Sequence, residues 1–169
     1  MNFDFKSELA FGVKDLGLEV PDSAYGPLEI YFQQLKKWSR KVNLIAKSTS
    51  DEEIVEKHFL DSLTLVSFFQ DHGSHLLDIG TGGGFPGLIC KVALGDTLDV
   101  TLVEPRLKRV SFLRHIVRSL KLGGVEIHAK RLEEVPNLSS GTFSHITCRA
   151  VTEIGPFLDM VVGLSLIHI

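Results

Sequence analysis

The chain has 169 residues, of which 44% are hydrophobic, so it can bury one sizeable core and is not an intrinsically disordered tail. The formal net charge of −3 excludes a uniformly basic nucleic-acid-binding protein, although the charge is unevenly distributed. No apolar run has the length of a membrane span and the start of the chain lacks a signal-peptide pattern, so we expect no membrane association and a cytoplasmic protein.

The sequence up to residue 73 has helical periodicity. Phe5 to Leu16 is a short amphipathic stretch, and a longer one opens at Pro21-Asp22 and runs through Trp38. Ser48-Thr49-Ser50-Asp51 then supplies N-cap candidates for a third helix. We predict an N-terminal helical region over residues 1–73.

Short β-type runs alternate with helical segments over residues 74–169. The predicted elements are strands at 75–79, 98–104, 125–128 and 144–148, with helices near 86–94 and 106–120. This alternation indicates an α/β fold with a parallel, doubly wound sheet.

The run from Asp78 to Gly87 follows the apolar pair Leu76-Leu77 and contains the densest group of glycines in the chain. A buried strand that ends in an acid and breaks into glycines is typical of a strand-turn-helix site where a ligand lies against bare backbone. We therefore expect a small-molecule cofactor here, with a ligand-free turn as the alternative.

Two registers fit this run. The pattern G-x-G-x-x-G on Gly82, Gly84 and Gly87 would indicate a dinucleotide, although such a match alone is weak. The pattern acid-x-Gly-x-Gly-x-Gly, from Asp78 through Gly80 to Gly84, places a carboxylate at the strand end. It suits a cationic or hydroxylated ligand and is similar to motif I of S-adenosylmethionine-dependent methyltransferases.

The next predicted strand also ends in an acid, Glu104, about twenty residues beyond the glycines. An acid in this position can accept hydrogen bonds from both ribose hydroxyls of an adenosine group. The alternative is that Glu104 caps the following helix, because Pro105 suits a helix start. The spacing favours ribose binding.

Basic residues cluster after this strand. Between Arg106 and Arg131 there are eight basic residues and one acid, Glu126. They form either a face that attracts a polyanion or a solvated helix face, and charge alone leaves both open. Cys90 and Cys148 are expected to be reduced, and no Cys/His spacing indicates zinc or another metal.

These residues resemble the ribosomal small subunit methyltransferase G family, also called the glucose-inhibited division protein B family. Gly84-Phe85-Pro86-Gly87 is the most specific element of the resemblance, and other parts are Trp38 to Ile45, His58 to Leu63, and Cys148-Arg149-Ala150. The resemblance implies a Rossmann-like methyltransferase sheet with an N-terminal α-helical extension. It also implies methyl transfer from S-adenosylmethionine to N7 of a guanine in 16S ribosomal RNA, the small ribosomal subunit as partner, and a monomer when the protein is complete.

The resemblance also implies site residues. The predicted cofactor-binding residues are Asp78, Gly80, Gly82, Gly84, Phe85, Glu104, Leu132, Glu133 and Arg149. Arg149 and Arg131 are candidates for positioning substrate and cofactor. No residue is assigned to proton transfer, because guanine N7 has a free lone pair and no proton to lose, so its methylation needs alignment more than a base.

Several residues of the helical region have a structural and a functional interpretation. His58 and Asp61 look like an acid/base pair, but a hydrogen-bonded contact between the two regions beside the cofactor cleft is favoured. Trp38 could stack on a base, but a core position is favoured. The pairs Lys36-Lys37 and Arg40-Lys41 face either RNA or water.

The end of the chain departs from the family. The closing strands of a complete sheet of this class are missing, and Leu164 to Ile169 does not resemble the family, so we interpret the chain as C-terminally truncated. Exposed strand edges and apolar surface predict poor stability or aggregation. The alternatives to the methyltransferase are an NAD-dependent oxidoreductase with a similar glycine-rich loop and a non-catalytic fragment that binds RNA or cofactor.

Overall fold

The computed structural model describes residues 3–69, 73–135, 138, 142–149, 155, 161 and 164. Its α-helices are α1 (Phe5–Asp15), α2 (Asp22–Ser39), α3 (Asp51–Ile54), α4 (Asp61–Leu63), α5 (Gly87–Leu94) and α6 (Leu107–Ser119). Its strands are β1 (Ser74–Ile79), β2 (Leu98–Val103), β3 (Val125–His128) and β4 (His145–Cys148). No helix in these ranges is both long and apolar enough to cross a membrane.

The described strands form one parallel sheet in the order β3-β2-β1-β4. The chain therefore adds β2 and β3 on one side of β1 and then returns to add β4 on the other. In register, Asp78 of β1 lies opposite Leu102 of β2 and Thr147 of β4. This reversal makes the carboxyl ends of β1 and β4 a topological switch point, the place where open α/β sheets bind ligands. The predicted α/β class and parallel sheet are confirmed.

Both faces of the sheet are covered by apolar side chains, because successive residues of a strand point to opposite faces. Leu76 belongs to the larger apolar cluster, and Leu77 and Ile79 belong to a smaller one that includes Leu132 and Phe143. The central strands β1 and β2 are therefore buried at most positions on both faces, whereas the edge strand β3 alternates apolar and polar residues.

The N-terminal helices pack against α5 and α6 and share the larger apolar cluster with the sheet. Leu28 of α2, Phe59, Leu88 of α5 and Phe112 of α6 are all fully buried and belong to the larger cluster. Burying a side chain of this size stabilises the fold by about 1.5–3 kcal/mol. The larger apolar cluster thus contains residues from both predicted regions, 1–73 and 74–169. The boundary at residue 73 stays a prediction.

The third predicted helix exists but is not uniform. Ser50 is its N-cap, with a capping box in which the Ser50 side chain accepts from the Glu53 N–H and the Glu53 carboxylate accepts from the Ser50 N–H. Between α3 and α4 lies a π-helical turn, Val55–Leu60. Wider turns of this kind are rare and occur frequently at functional sites.

Candidate active site

A cavity of about 480 Å³ lies outside the carboxyl ends of the strands, at the switch point. This volume is in the range of small-molecule sites. It is lined by Leu44, Gly80, Thr81, Gly82, Gly83, Phe85, Glu104, Pro105, Arg106, Arg109 and Arg149. Five of the predicted site residues therefore meet around one space: Gly80, Gly82, Phe85, Glu104 and Arg149.

Glu104 borders the cavity and is held by backbone amides. Its Oε2 accepts from the Gly82 N–H at 3.0 Å, and its Oε1 accepts from the Arg106 N–H at 2.9 Å. The Arg109 guanidinium lies 3.5 Å from Oε2 and also donates to the Asn43 carbonyl at 3.1 Å. Since Arg106 is the N-cap of α6, Glu104 also supports the start of that helix, as the alternative interpretation proposed. Its carboxylate is thus fixed beside the glycine loop with lone pairs left to accept further hydrogen bonds.

Asp78 lies beneath the loop rather than in the cavity wall. Its Oδ2 accepts from the Thr81 hydroxyl at 2.6 Å and from the Gly87 N–H at 2.9 Å, so it joins the two ends of the loop. Burial raises the pKa of this carboxyl to about 6, against the lowering effect of these hydrogen bonds and of the positive charge of Arg149. Neither Oδ1 of Asp78 nor Oγ1 of Thr147 completes a hydrogen bond in the described part of the chain. Asp78 therefore supports the loop from below, and its predicted contact with the cofactor stays a prediction.

The loop is held from below by α2. The fully buried hydroxyl of Tyr31 donates to the Gly83 carbonyl at 2.6 Å. Gly84 has a φ of +88°, and a Cβ there would collide with the same hydroxyl. Only glycine meets both requirements, so Gly84 serves the packing of the loop rather than the cavity surface.

Arg149 follows β4 and connects the sheet to the N-terminal helices. Its guanidinium donates to His58 Nδ1 at 2.7 Å, to the Lys57 carbonyl at 3.1 Å and to Asp61 Oδ2 at 3.0 Å. The His58 ring stacks on Phe85, with centroids 4.9 Å apart. The contact favoured for His58 between the two regions is therefore present, and its partner is Arg149.

The remaining predicted site residues do not border this cavity. Arg131 and Glu133 are exposed, and Leu132 is buried in the smaller apolar cluster. Arg131 donates its backbone N–H to the Glu134 carboxylate, which caps the short 3₁₀ helix Leu132–Glu134. The binding roles of Arg131, Leu132 and Glu133 stay predictions, as do those of the residues around the cavity.

Sequence reasoning assigned no site role to Tyr31, Thr81, Leu44 or Arg109. Arg109 had a detectable signal, since a cation shortly after a strand-end acid can face it from the first turn of the next helix. Tyr31 had none, because its contact with the loop joins residues 52 positions apart. Trp38 packs against Phe112 and His115, in agreement with the core interpretation.

Comparison with known proteins identifies the family. Residues 25–164 match the family described as rRNA small subunit methyltransferase G. The chain belongs to this family. It is 55% identical over its full length to the ribosomal RNA small subunit methyltransferase G of Desulfotalea psychrophila, of which it covers 77%. It is 42% identical to that of Geotalea uraniireducens over 97% of the chain, covering 74% of the relative.

Solved structures agree on the fold. A SAM-dependent methyltransferase from Aquifex aeolicus has a TM-score of 0.55 at 22% identity, over 79% of this chain and 66% of that one. A putative protein-L-isoaspartate O-methyltransferase from Plasmodium falciparum, in complex with S-adenosyl-L-homocysteine, has a TM-score of 0.56 at 18% identity, over 94% and 80%. The predicted methyltransferase fold is thereby confirmed.

The predicted cofactor, S-adenosylmethionine, is confirmed by membership of this methyltransferase family, and the alternative of an NAD-dependent oxidoreductase is set aside. The chemistry of the site fits the cofactor. Glu104 offers acceptors for ribose hydroxyls, and Arg149 suits a carboxylate. Among the described residues no group of His, Cys, Asp and Glu is arranged to hold a metal ion.

Proposed function

We propose that this protein methylates ribosomal RNA, with N7 of a guanine in 16S ribosomal RNA as the target atom and S-adenosylmethionine as the methyl donor. The observation that carries the proposal is the cavity at the switch point, where the glycine loop, Glu104 and Arg149 meet in a chain of this family. An enzyme of this kind would act in the cytoplasm on the small ribosomal subunit or its precursor, as a monomer.

This reaction requires that the protein align the methyl group of the cofactor with the guanine N7 atom. The cofactor, when bound, supplies a methyl group activated by its sulfonium centre. Guanine N7 already has a free lone pair in the plane of the ring, so no side chain has to remove a proton, and holding the two reactants in line lowers the barrier. Asp78 fixes the ends of the glycine loop, Glu104 is positioned to hold the ribose, and Arg149 can donate to a carboxylate or to guanine O6.

The surface next to the cavity favours an RNA substrate. Helix α6 contains no acidic residue, and its basic side chains begin at the cavity wall with Arg106 and Arg109. The exposed basic residues from there to the end of the helix are Arg106, Lys108, Arg114 and Arg118, and the exposed Lys121 follows in the next turn. Arg114 and Arg118 are four residues apart on α6 and so share a face. We assign this face to the phosphate backbone of the RNA, whose contacts add affinity without reading the sequence.

The test is transfer of a labelled methyl group to small ribosomal subunits from a strain that lacks the modification. We expect label at guanine N7 of 16S ribosomal RNA, located by chemical cleavage at 7-methylguanine, and a rate that falls steeply with salt. Fully modified subunits are the control and should accept no label. Label on another atom would overturn the choice of N7. Binding of S-adenosylhomocysteine in calorimetry without any transfer would instead support a non-catalytic fragment.

A further inference from the structure

The π-helical turn Val55–Leu60 and Asp61, the residue that follows it, present three acceptors to one guanidinium. In an α-helix the Asp61 N–H would donate to the Lys57 carbonyl, four residues back. Here it donates to the Glu56 and His58 carbonyls, and the Lys57 carbonyl accepts from Arg149 Nη1. The wider turn therefore places a carbonyl, an imidazole nitrogen and a carboxylate around the Arg149 side chain.

His58 can accept from Arg149 only in one chemical state. Arginine has N–H donors and no acceptor, so His58 Nδ1 must carry a lone pair and the ring proton must be on Nε2. Burial and the positive charge of Arg149 lower the pKa of His58 to about 4, opposed by Asp61 and assisted by Lys57. The imidazole is therefore neutral at physiological pH, which excludes a salt bridge with Asp61 and fits an acceptor.

Phe85 completes the arrangement from the cavity side. It lines the cavity, its ring is stacked on His58, and its centroid lies 5.8 Å from Arg149 Cζ. His58 is thus fixed by a stacked ring on one side and by its bond to the guanidinium at Nδ1. A side chain held in this way has a defined direction, which it passes to its hydrogen-bond partner.

We propose that His58 is a positioning residue of the methyl-transfer site, which orients the Arg149 guanidinium toward the cavity through the neutral Nδ1 acceptor. It makes no proton transfer and is not a catalytic residue. The inference rests on the proposed function, because Arg149 is assigned there to the alignment of cofactor and substrate. It gives a role to the π-helical turn, which leaves the Lys57 carbonyl to Arg149 and brings His58 to the same guanidinium.

Two substitutions distinguish the contribution of the His58 ring from that of its Nδ1 acceptor. His58→Phe keeps a ring that can stack on Phe85 and removes the acceptor, whereas His58→Asn keeps an acceptor near the Nδ1 position and removes the ring. We expect His58→Phe to lower kcat for methyl transfer by about tenfold or more with a smaller change in KM, and His58→Asn to recover most of the loss. Against an Arg149→Gln background neither substitution should change the rate further. Circular-dichroism melts would show that both variants fold.

A readout without methyl transfer tests the contact itself. Nuclear magnetic resonance of the wild-type chain should show His58 at pH 7 as the Nε2–H tautomer, and Arg149→Gln should raise its pKa because a nearby positive charge is removed. An Nδ1–H tautomer, equal activity of His58→Phe and wild type, or failure of His58→Asn to recover activity would each overturn the inference. Absence of methyl transfer by the wild type, with the expected tautomer and pKa, would overturn the proposed function and leave the contact in place.

Discussion

Asp78 and Glu104 follow from the same pattern, an apolar strand that ends in an acid, but the structure surrounds them differently. Asp78 accepts from the two ends of the glycine loop and lies below it, and burial raises the pKa of its carboxyl to about 6. Glu104 accepts from one amide of the loop and one of α6, and borders the cavity. Asp78 therefore maintains the shape of the loop on what we call its closed side, whereas Glu104 borders the cavity on its open side.

The closed side should be the more sensitive to added volume. Gly84→Ala forces a Cβ into the Tyr31 hydroxyl and requires a φ of +88° that alanine rarely adopts. We expect the free energy of unfolding in urea to fall by about 3 kcal/mol or more, since strain and overpacking add. Gly26→Ala is the control, because no atom lies within 4 Å of its added Cβ, and it should be neutral or slightly stabilising. Equal losses in the two variants would contradict the closed side as defined.

Asp78→Asn tests the closed side through pH. Because the folded pKa of Asp78 is raised from 3.8 to about 6, its contribution to stability is complete below pH 3.8 and is lost as the pH rises through 6. The variant lacks this dependence, so its stability relative to wild type should increase between pH 4 and pH 7, by on the order of 1–3 kcal/mol. Urea titrations at several pH values measure it, with Asp96→Asn as an exposed control. Parallel pH profiles of Asp78→Asn and wild type would refute the burial effect.

The positions of Asp78 and Glu104 at two strand ends could be predicted from the sequence. Apolar runs that end in an acid located both strand ends, and the N-cap pattern located Ser50. The π-helical turn was not accessible, because it differs from an α-helix only in which carbonyl accepts each N–H. The closed side was not accessible either, because the contact between Tyr31 and the loop depends on how α2 packs against α5 and α6.

For the residues after β3, the sequence predicted the location in the sheet but not the direction of the side chains. The resemblance placed Leu132 and Glu133 at the cofactor, and the order of the strands does bring the end of β3 to the carboxyl edge of the sheet. The short 3₁₀ helix that follows turns Leu132 into the smaller apolar cluster and leaves Glu133 exposed. A motif therefore predicts the edge at which a residue lies, whereas the direction of its side chain is decided by local packing, and contact of these residues with the cofactor stays a prediction.

A substitution on the open side should change the affinity for the ligand more than the free energy of unfolding. Glu104→Gln removes the charge and one acceptor beside the cavity, so we expect the affinity for S-adenosylhomocysteine in calorimetry to fall by about 10–100-fold. One backbone amide loses its acceptor, and the free energy of unfolding should fall by only ~1–2 kcal/mol. Asp99→Asn, an exposed acid on β2, is the control and should bind normally. Unchanged affinity in Glu104→Gln would remove Glu104 from the ligand site.

The smallest effect should come from the hydroxyl that supports the loop. Tyr31→Phe keeps the ring in the core and leaves the buried Gly83 carbonyl without this donor, so we expect a loss of ~1–2 kcal/mol in the free energy of unfolding. Tyr25→Phe, on the same helix but only partly buried, is the matched control and should change stability less. If the loop keeps its shape because of Asp78 as well, the affinity of Tyr31→Phe for S-adenosylhomocysteine should stay close to wild type. A large loss of affinity with little loss of stability would instead mean that the closed side also sets the geometry of the cavity.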